Sequence, residues 1–224
     1  MVDAAQIQRH VNRGYAKAGS ILGSAFTQYR ATGANDPTAV ANAVGAVSAA
    51  FDTAPALPFS KPSQYGKPDW YAAVDPTCLQ VGDYLIGQVN QTPSTFFLAA
   101  VENFDAPHFI RCNHTIQIAR AADTLAPGST GTYSGSAIET ATPFMTGWPC
   151  ALLQLSSGSK MGGTGMQLPS DGKLPGAAAW LPATCPQIRF NDIITDENGV
   201  RYAVSSAELT PLGWRLVAEV WPSA

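Results

Sequence analysis

The chain has 224 residues, 46% of them hydrophobic, enough to bury one large core or two small ones. Only 13% are charged, about half the roughly 25% usual in soluble domains, and the net charge is −3. This balance excludes a general nucleic-acid binder, which carries a strong positive excess, and implies large neutral surfaces of the kind that partners bury.

The N-terminus, Met1-Val2-Asp3-Ala4, has no basic n-region and no apolar h-region, so no signal peptide is expected. Asp3 as N-cap, with Gln6 three residues on, reads as a helix start. Ile7, Val11, Tyr15, Ala18, Leu22, Phe26 and Tyr29 then recur in steps of three and four, one face of a helix. Arg9, Arg13 and Lys17 step by four along the opposite face. The spacing predicts an amphipathic helix over 1–30, with its body from Asp3 to about Phe26. Gly14, Gly19 and Gly23 weaken it by roughly 1 kcal/mol each relative to Ala, so it depends on docking, either on its own β domain or on another subunit. Gly19 and Gly23 flank the stripe and let another backbone approach closely. Ile7, Val11, Tyr15, Leu22, Phe26 and Tyr29, with Arg9, Arg13 and Lys17, are therefore the candidate partner-binding residues.

Residues 31–76 read as an extended arm or linker. Asp36-Pro37 starts a short Ala-rich helix through Val40, Val44 and Val47. Pro55, Pro58, Pro62 and Pro68 then come too often for helix or central strand. Phe59, Tyr65, Trp70 and Tyr71 lay this arm against a surface.

Residues 77–122 form a first β module. Val81 to Gly87, Thr95 to Val101, Phe109 to Cys112 and Thr115 to Ile118 are short β-branched and aromatic runs bounded by Asn, Asp, Pro and Gly, the pattern of an antiparallel meander. Residues 123–185 are a region of loops rich in Gly, Ser, Thr and Pro around islands such as Trp148 to Leu153, with Ser156 to Gly165 the most flexible in composition. Residues 186–224 form a second β module: Ile188 to Thr195, a turn at Asp196 to Gly199, Val200 to Ser205, then Trp214 to Val220. Gly82-Asp83-Tyr84 parallels Asn191-Asp192-Ile193, and Phe97-Leu98-Ala99 parallels Tyr202-Ala203-Val204, as two lobes of one plan or as shared strand grammar. The fold class is mainly β: small antiparallel meander or barrel modules with a long N-terminal amphipathic helix and an extended Pro-rich arm.

Little here predicts chemistry. Cys78, Cys112, Cys150 and Cys185 are more than thirty residues apart with no close pair, so no metal is expected, and reduced, buried thiols are the default. Cys112 and His114, with Glu102 or Asp105 as orienting acid, would make a nucleophile pair; a buried thiol beside a turn histidine is the simpler reading. Ser157-Gly158-Ser159-Lys160 lies in a Gly-rich loop, and Gly158 to Gly165 lacks a phosphate-loop ending. Asp192, Asp196 and Glu197 read as a turn rather than a cation site. No cofactor is expected. No apolar run approaches the roughly 20 residues of a membrane span.

Arg13-Gly14-Tyr15, Gln28-Tyr29-Arg30, Gly82-Asp83-Tyr84-Leu85, Thr95 to Ala99, Arg111-Cys112-Asn113, Trp148-Pro149 and Leu212 to Leu216 follow one another in an order that resembles virion structural proteins of the tail and baseplate region of contractile-tailed bacteriophages and prophages. Asn191 stands where Gly would precede Asp. The resemblance implies no enzyme activity. It implies a homo-oligomeric ring or hub-attached protein with a terminal helix reaching into neighbours, among other tail and baseplate proteins. It implies a virion location after assembly in the bacterial cytoplasm. The expected function is structural: joining tail tube to baseplate or hub. The alternatives are a head-to-tail neck (connector) protein and a tail-associated hydrolase of the cell envelope, which would need two carboxylates facing across a cleft. In a ring, Arg9, Arg13 and Lys17 would line a lumen for DNA passage or meet an acidic patch; a solvated face is the alternative.

Overall fold

A computed structural model describes residues 3–54, 67–120, 141–155 and 176–221. The chain is mainly β, with two closed barrels of six antiparallel strands each, preceded by one helix, α1 (Ala4–Leu22). The first barrel comprises β1 (Ser24–Tyr29), β2 (Ala43–Asp52), β3 (Asp69–Ala73), β4 (Tyr84–Val89), β5 (Thr92–Ala100) and β6 (His108–Cys112). Around the barrel they run β1-β2-β3-β6-β5-β4. The second comprises β7 (His114–Arg120), β8 (Thr142–Leu155), β9 (Gly176–Leu181), β10 (Ile193–Asp196), β11 (Arg201–Thr210) and β12 (Gly213–Val220). Its order, β7-β8-β9-β12-β11-β10, is the first order advanced by six strands. The fold is therefore a tandem repeat, and closure removes most free sheet edges.

Each barrel is clasped in the same way. The backbone turns into β4 through Gly82 at φ +94° and into β10 through Asn191 at φ +65°, the left-handed region that Gly and Asn tolerate. That requirement explains why Asn stands in for Gly. Asp83 and Asp192 follow, each accepting a backbone N–H from three residues back, Gln80 at 2.8 Å and Arg189 at 2.7 Å. Each carboxylate also takes two bonds of 2.7 Å from an arginine at the end of the first strand of its barrel: Arg30, the residue after β1, to Asp83, and Arg120, the last residue of β7, to Asp192. Both acid side chains are 1% exposed.

The repeat anticipated between the two modules is thus present, with its register shifted. Gly82 donates to Leu98 and Leu98 back to Asp83; Asn191 donates to Val204 and Val204 back to Asp192. Leu98 therefore corresponds to Val204, not to Ala203, and Phe97 corresponds to Ala203. A slip of one residue exchanges the faces of a strand.

The first barrel is filled by aromatics. Phe26, Phe96, Phe109, Leu85 and Leu98 are buried together, with Phe51 stacked on Phe96 at 3.9 Å. Alternation sends Tyr84, Phe97 and Ile110 outward, where they join the core of the second barrel. Tyr84 Oη donates to Pro149 O at 2.9 Å and its ring meets Trp148 edge-on at 6.3 Å. Side chains of this size stabilise by roughly 1.5–3 kcal/mol each when fully buried, so the barrels are packed as one body.

Several expected boundaries move. The helix ends at Leu22, because Gly23 leaves helical geometry and β1 begins at Ser24. The helix expected after Pro37 is one turn, Val40–Asn42, followed by strand β2 through Val44 and Val47. Residues 31–76 are therefore not only an arm, since they supply two strands of the first barrel; Pro55, Pro58 and Pro62 lie outside the described residues. Thr115 to Ile118 leaves the meander of β4, β5 and β6 to open the second barrel. The region 123–185 contributes β8 and β9, while Ser156 to Gly165 lies outside the described residues. Ile188 precedes rather than joins β10.

Candidate assembly surface

Helix α1 lies on the first barrel of its own chain, against β2 and β3. Asp3 caps it through Ala5 N, as its sequence position requires. Gly19 is its one buried residue. A Cβ there would stand 2.5 Å from Ala73 O and 2.9 Å from Ser48 O, and one at Gly23 would stand 2.6 Å from Ala49 O. These two glycines let the helix backbone rest on strand carbonyls, the close approach their positions suggested. Gly14 meets nothing within 4 Å. Near the other end, Phe104 N–H donates to Gln8 Oε1 at 2.8 Å.

The seam runs through small residues, so the apolar stripe is turned partly away from the barrel. Val11 and Tyr15 are half-buried; burial, with Asp105 nearby, pushes the Tyr15 phenol up. Ile7 is 43% exposed, Leu22 61% and Ile21 69%. Phe26 and Tyr29 are not on the helix. Phe26 is buried in the first barrel, and Tyr29 is half-buried, packed on the shared core. The candidate surface therefore narrows to Ile7 at one end of α1 and Ile21 with Leu22 at the other. Leu22 also lines a cavity of about 260 Å³ at the barrel mouth with Phe51, Trp70 and Val89.

Arg9, Arg13 and Lys17 are exposed, and none has an ion-pair partner among the described residues. Arg9 and Arg13 border a crevice of about 240 Å³ whose far wall carries Asp75 and Thr77. The row is thus partly faced by an acid of its own chain. Two surface features escaped the sequence reading. Val40, on the single turn before β2, is 88% exposed, and Val44, on β2 itself, is 51% exposed, in a stretch read as helix. Only its small-residue alternation before Phe51 and Asp52 could have revealed it.

The imagined nucleophile pair does not form. His114 Nδ1 lies 2.9 Å from Glu197 Oε1, and His108 Nε2 lies 3.1 Å from Asp69 Oδ1. The Cys112 thiol points at Ile110 O, and burial pushes it well up, away from the thiolate a nucleophile needs. All four cysteines are free. Cys150 and Cys185 are buried, and burial raises both, Cys185 to about 12. Cys78 is exposed, against the expectation of buried thiols, because it sits on a 3-10 turn at Pro76–Cys78. Among the described residues no three His, Cys, Asp or Glu side chains are grouped to hold a metal. Among the described residues no helix is long and apolar enough to cross a membrane. Compared with family models, curated proteins and solved structures, the chain gives no match.

Proposed function

We propose that this chain is a structural assembly protein of a tailed-phage virion, joining the tail tube to baseplate or hub components without catalysis of its own. The observation that carries the reading is the C-terminal end of α1. Ile21 and Leu22 stand 69% and 61% exposed on a helix that its own barrel holds through glycine. Apolar residues left beside a barrel mouth suit burial by a partner. The low charge and the order of sequence motifs support the same reading. The partners are further copies and neighbouring tail proteins.

The test is incorporation. In lysates of the native host, the chain should co-sediment with intact tails, and an antibody against it should label one end of the particle. An Ile21→Asp, Leu22→Asp double variant, folded in isolation, should be lost from the particles. A chain that stays soluble while tails pellet refutes the proposal. Label at the head-proximal end would place it instead at the neck.

A further inference from the structure

The two barrels share one strand order, so surfaces on one have counterparts on the other, and their coverings can be compared. Register fixes the correspondence. Ala25 pairs with Ser48 as Thr115 pairs with Pro149, and Ser24 with Ala49 as His114 with Cys150. The outer surface of β8 around Pro149 therefore corresponds to that of β2 around Ser48.

On the second barrel this surface is covered by the first. Tyr84 donates to Pro149 O. Beside it, the β1–β2 connection runs along the edge of β8. Asn35 bridges to Thr146, Asp36 N–H donates to Thr146 O at 2.9 Å, and Trp148 Nε1–H donates to Ala34 O at 2.7 Å. The barrel–barrel contact is thus heterologous, with unlike surfaces meeting.

On the first barrel the counterpart surface is occupied differently. Helix α1 takes that place, through Gly19 and Gly23 on Ser48, Ala73 and Ala49. It covers only part. Ala43 to Asp52 pairs with β1 at 43–49 but with β3 only at 50–52 among the described residues. Ala43, Val44, Gly45 and Ala46 are exposed, uncharged and free of Pro, none of the usual devices that blunt an open strand.

We infer that the outer surface of β2, from Ala43 to Ser48, is a head-to-tail docking site for the second barrel of another copy, with α1 as the placeholder that occupies its Ser48 end in the free chain. The occupant follows from the repeat, since the same surface on the second barrel is filled by a barrel of this chain. A heterologous contact of this kind propagates into a ring or a filament. The placeholder is weakly held: among 19 helical residues only Gly19 is buried. This deepens the assembly reading and rests on it only in requiring several copies.

The test uses the full chain in sedimentation across a concentration series. Lys17 is exposed, and Lys17→Pro breaks α1 without touching the barrel. It should raise the self-association constant at least tenfold over the unaltered chain. Val44→Lys in the same background should return it to the unaltered value. A Lys17→Pro chain that keeps its near-ultraviolet circular dichroism and stays monomeric overturns the inference, as does association that Val44→Lys leaves intact. If Lys17→Pro unfolds, hydrogen exchange on the unaltered chain decides. Protection of residues 43–47 that rises with chain concentration supports docking, and rapid exchange at every concentration overturns it. Failure here with successful co-sedimentation would remove this docking site and leave the virion reading standing.

Discussion

Replacing Arg30 by Ala tests the clasp at its most exposed member. The Asp83 side chain is 1% exposed and the Arg30 side chain 34%. The carboxylate accepts from Arg30 Nε and Nη2, each at 2.7 Å, from Gln28 Nε2 at 2.7 Å and from Gln80 N at 2.8 Å. Removing Arg30 leaves two neutral donors on Oδ2 and strips Oδ1 of its partner. Breaking a buried pair from one side costs about 3–5 kcal/mol. Water can reach the vacated guanidinium site, so about 3 kcal/mol is expected, or roughly 6–12 °C in Tm for a chain of this size. Arg30→Lys should recover only part, because an ammonium cannot reproduce the bidentate fork. The second barrel supplies an internal comparison. Arg120 also donates to Gln187 O at 2.9 Å and lies 4.5 Å from the Phe144 ring centroid, so Arg120→Ala should cost more. Urea unfolding of both variants and of Arg30→Ala, Asp83→Ala together measures the coupling. A loss below about 0.5 kcal/mol for Arg30→Ala, the range of exposed pairs, would refute the clasp as a stabilising element.

Gly14→Ala should stabilise α1 by up to about 1 kcal/mol, since a Cβ there meets nothing. Gly19→Ala should lift the helix off strand carbonyls and speed trypsin cleavage after Arg13 and Lys17. A thiol reagent on the native chain should modify Cys78 first and alone, slowed because burial and nearby Asp75 raise its thiol; rapid modification of Cys150 or Cys185 would contradict the packing. The hydrogen bond from His108 holds the Asp69 carboxyl below its usual range, against partial burial. That contribution is present above the unfolded carboxylate value and lost as pH falls through the lowered one. The Tm gap between the unaltered chain and Asp69→Asn should therefore be open at pH 5 and close below about pH 4. Changing Arg9, Arg13 and Lys17 together to Glu should weaken particle assembly at low salt and less so at high salt. Normal assembly at low salt would make the row a solvated face.

The strands that sequence made legible are those with large side chains and clean turns. β4 to β6 and β10 to β12 carry alternating aromatics or branched residues. Asn198-Gly199 marks its hairpin because Gly199 sits at φ +81°. β2 was missed because Ala, Gly and Ser carry no period that separates helix from strand. β8 was missed because Pro143, Gly147 and Pro149 read as loop. Two register shifts in its pairing with β7 absorb the irregularity. The helical stripe overran for a different reason. Phe26 and Tyr29 keep a step of three, but in β1 that step puts them on opposite faces, one in the barrel and one toward its neighbour. The partner-binding residues read from that stripe therefore mixed exposed helix with buried strand.

The repeat itself was legible in only a few residues, and the physics of the clasp explains which ones. A left-handed turn demands Gly or Asn, and a carboxylate capping its own turn demands Asp; both copies keep these. The barrel interiors face no such demand, because a core needs total volume rather than particular side chains. Corresponding positions in matched register pair Leu85 with Ile194, Phe96 with Tyr202, Leu98 with Val204 and Phe109 with Ala218. Gln28 corresponds to Ile118 by the same register. The first is polar because its amide serves Asp83, and the second is free to be apolar because Arg120 and the backbone N–H of Arg189 bond Asp192 without it. Geometry that only one residue type satisfies leaves a signature in sequence, whereas packing that many satisfy leaves only a pattern of burial. The docking surface inferred on β2 belongs to the second kind, and it became visible only when the two barrels were laid in register.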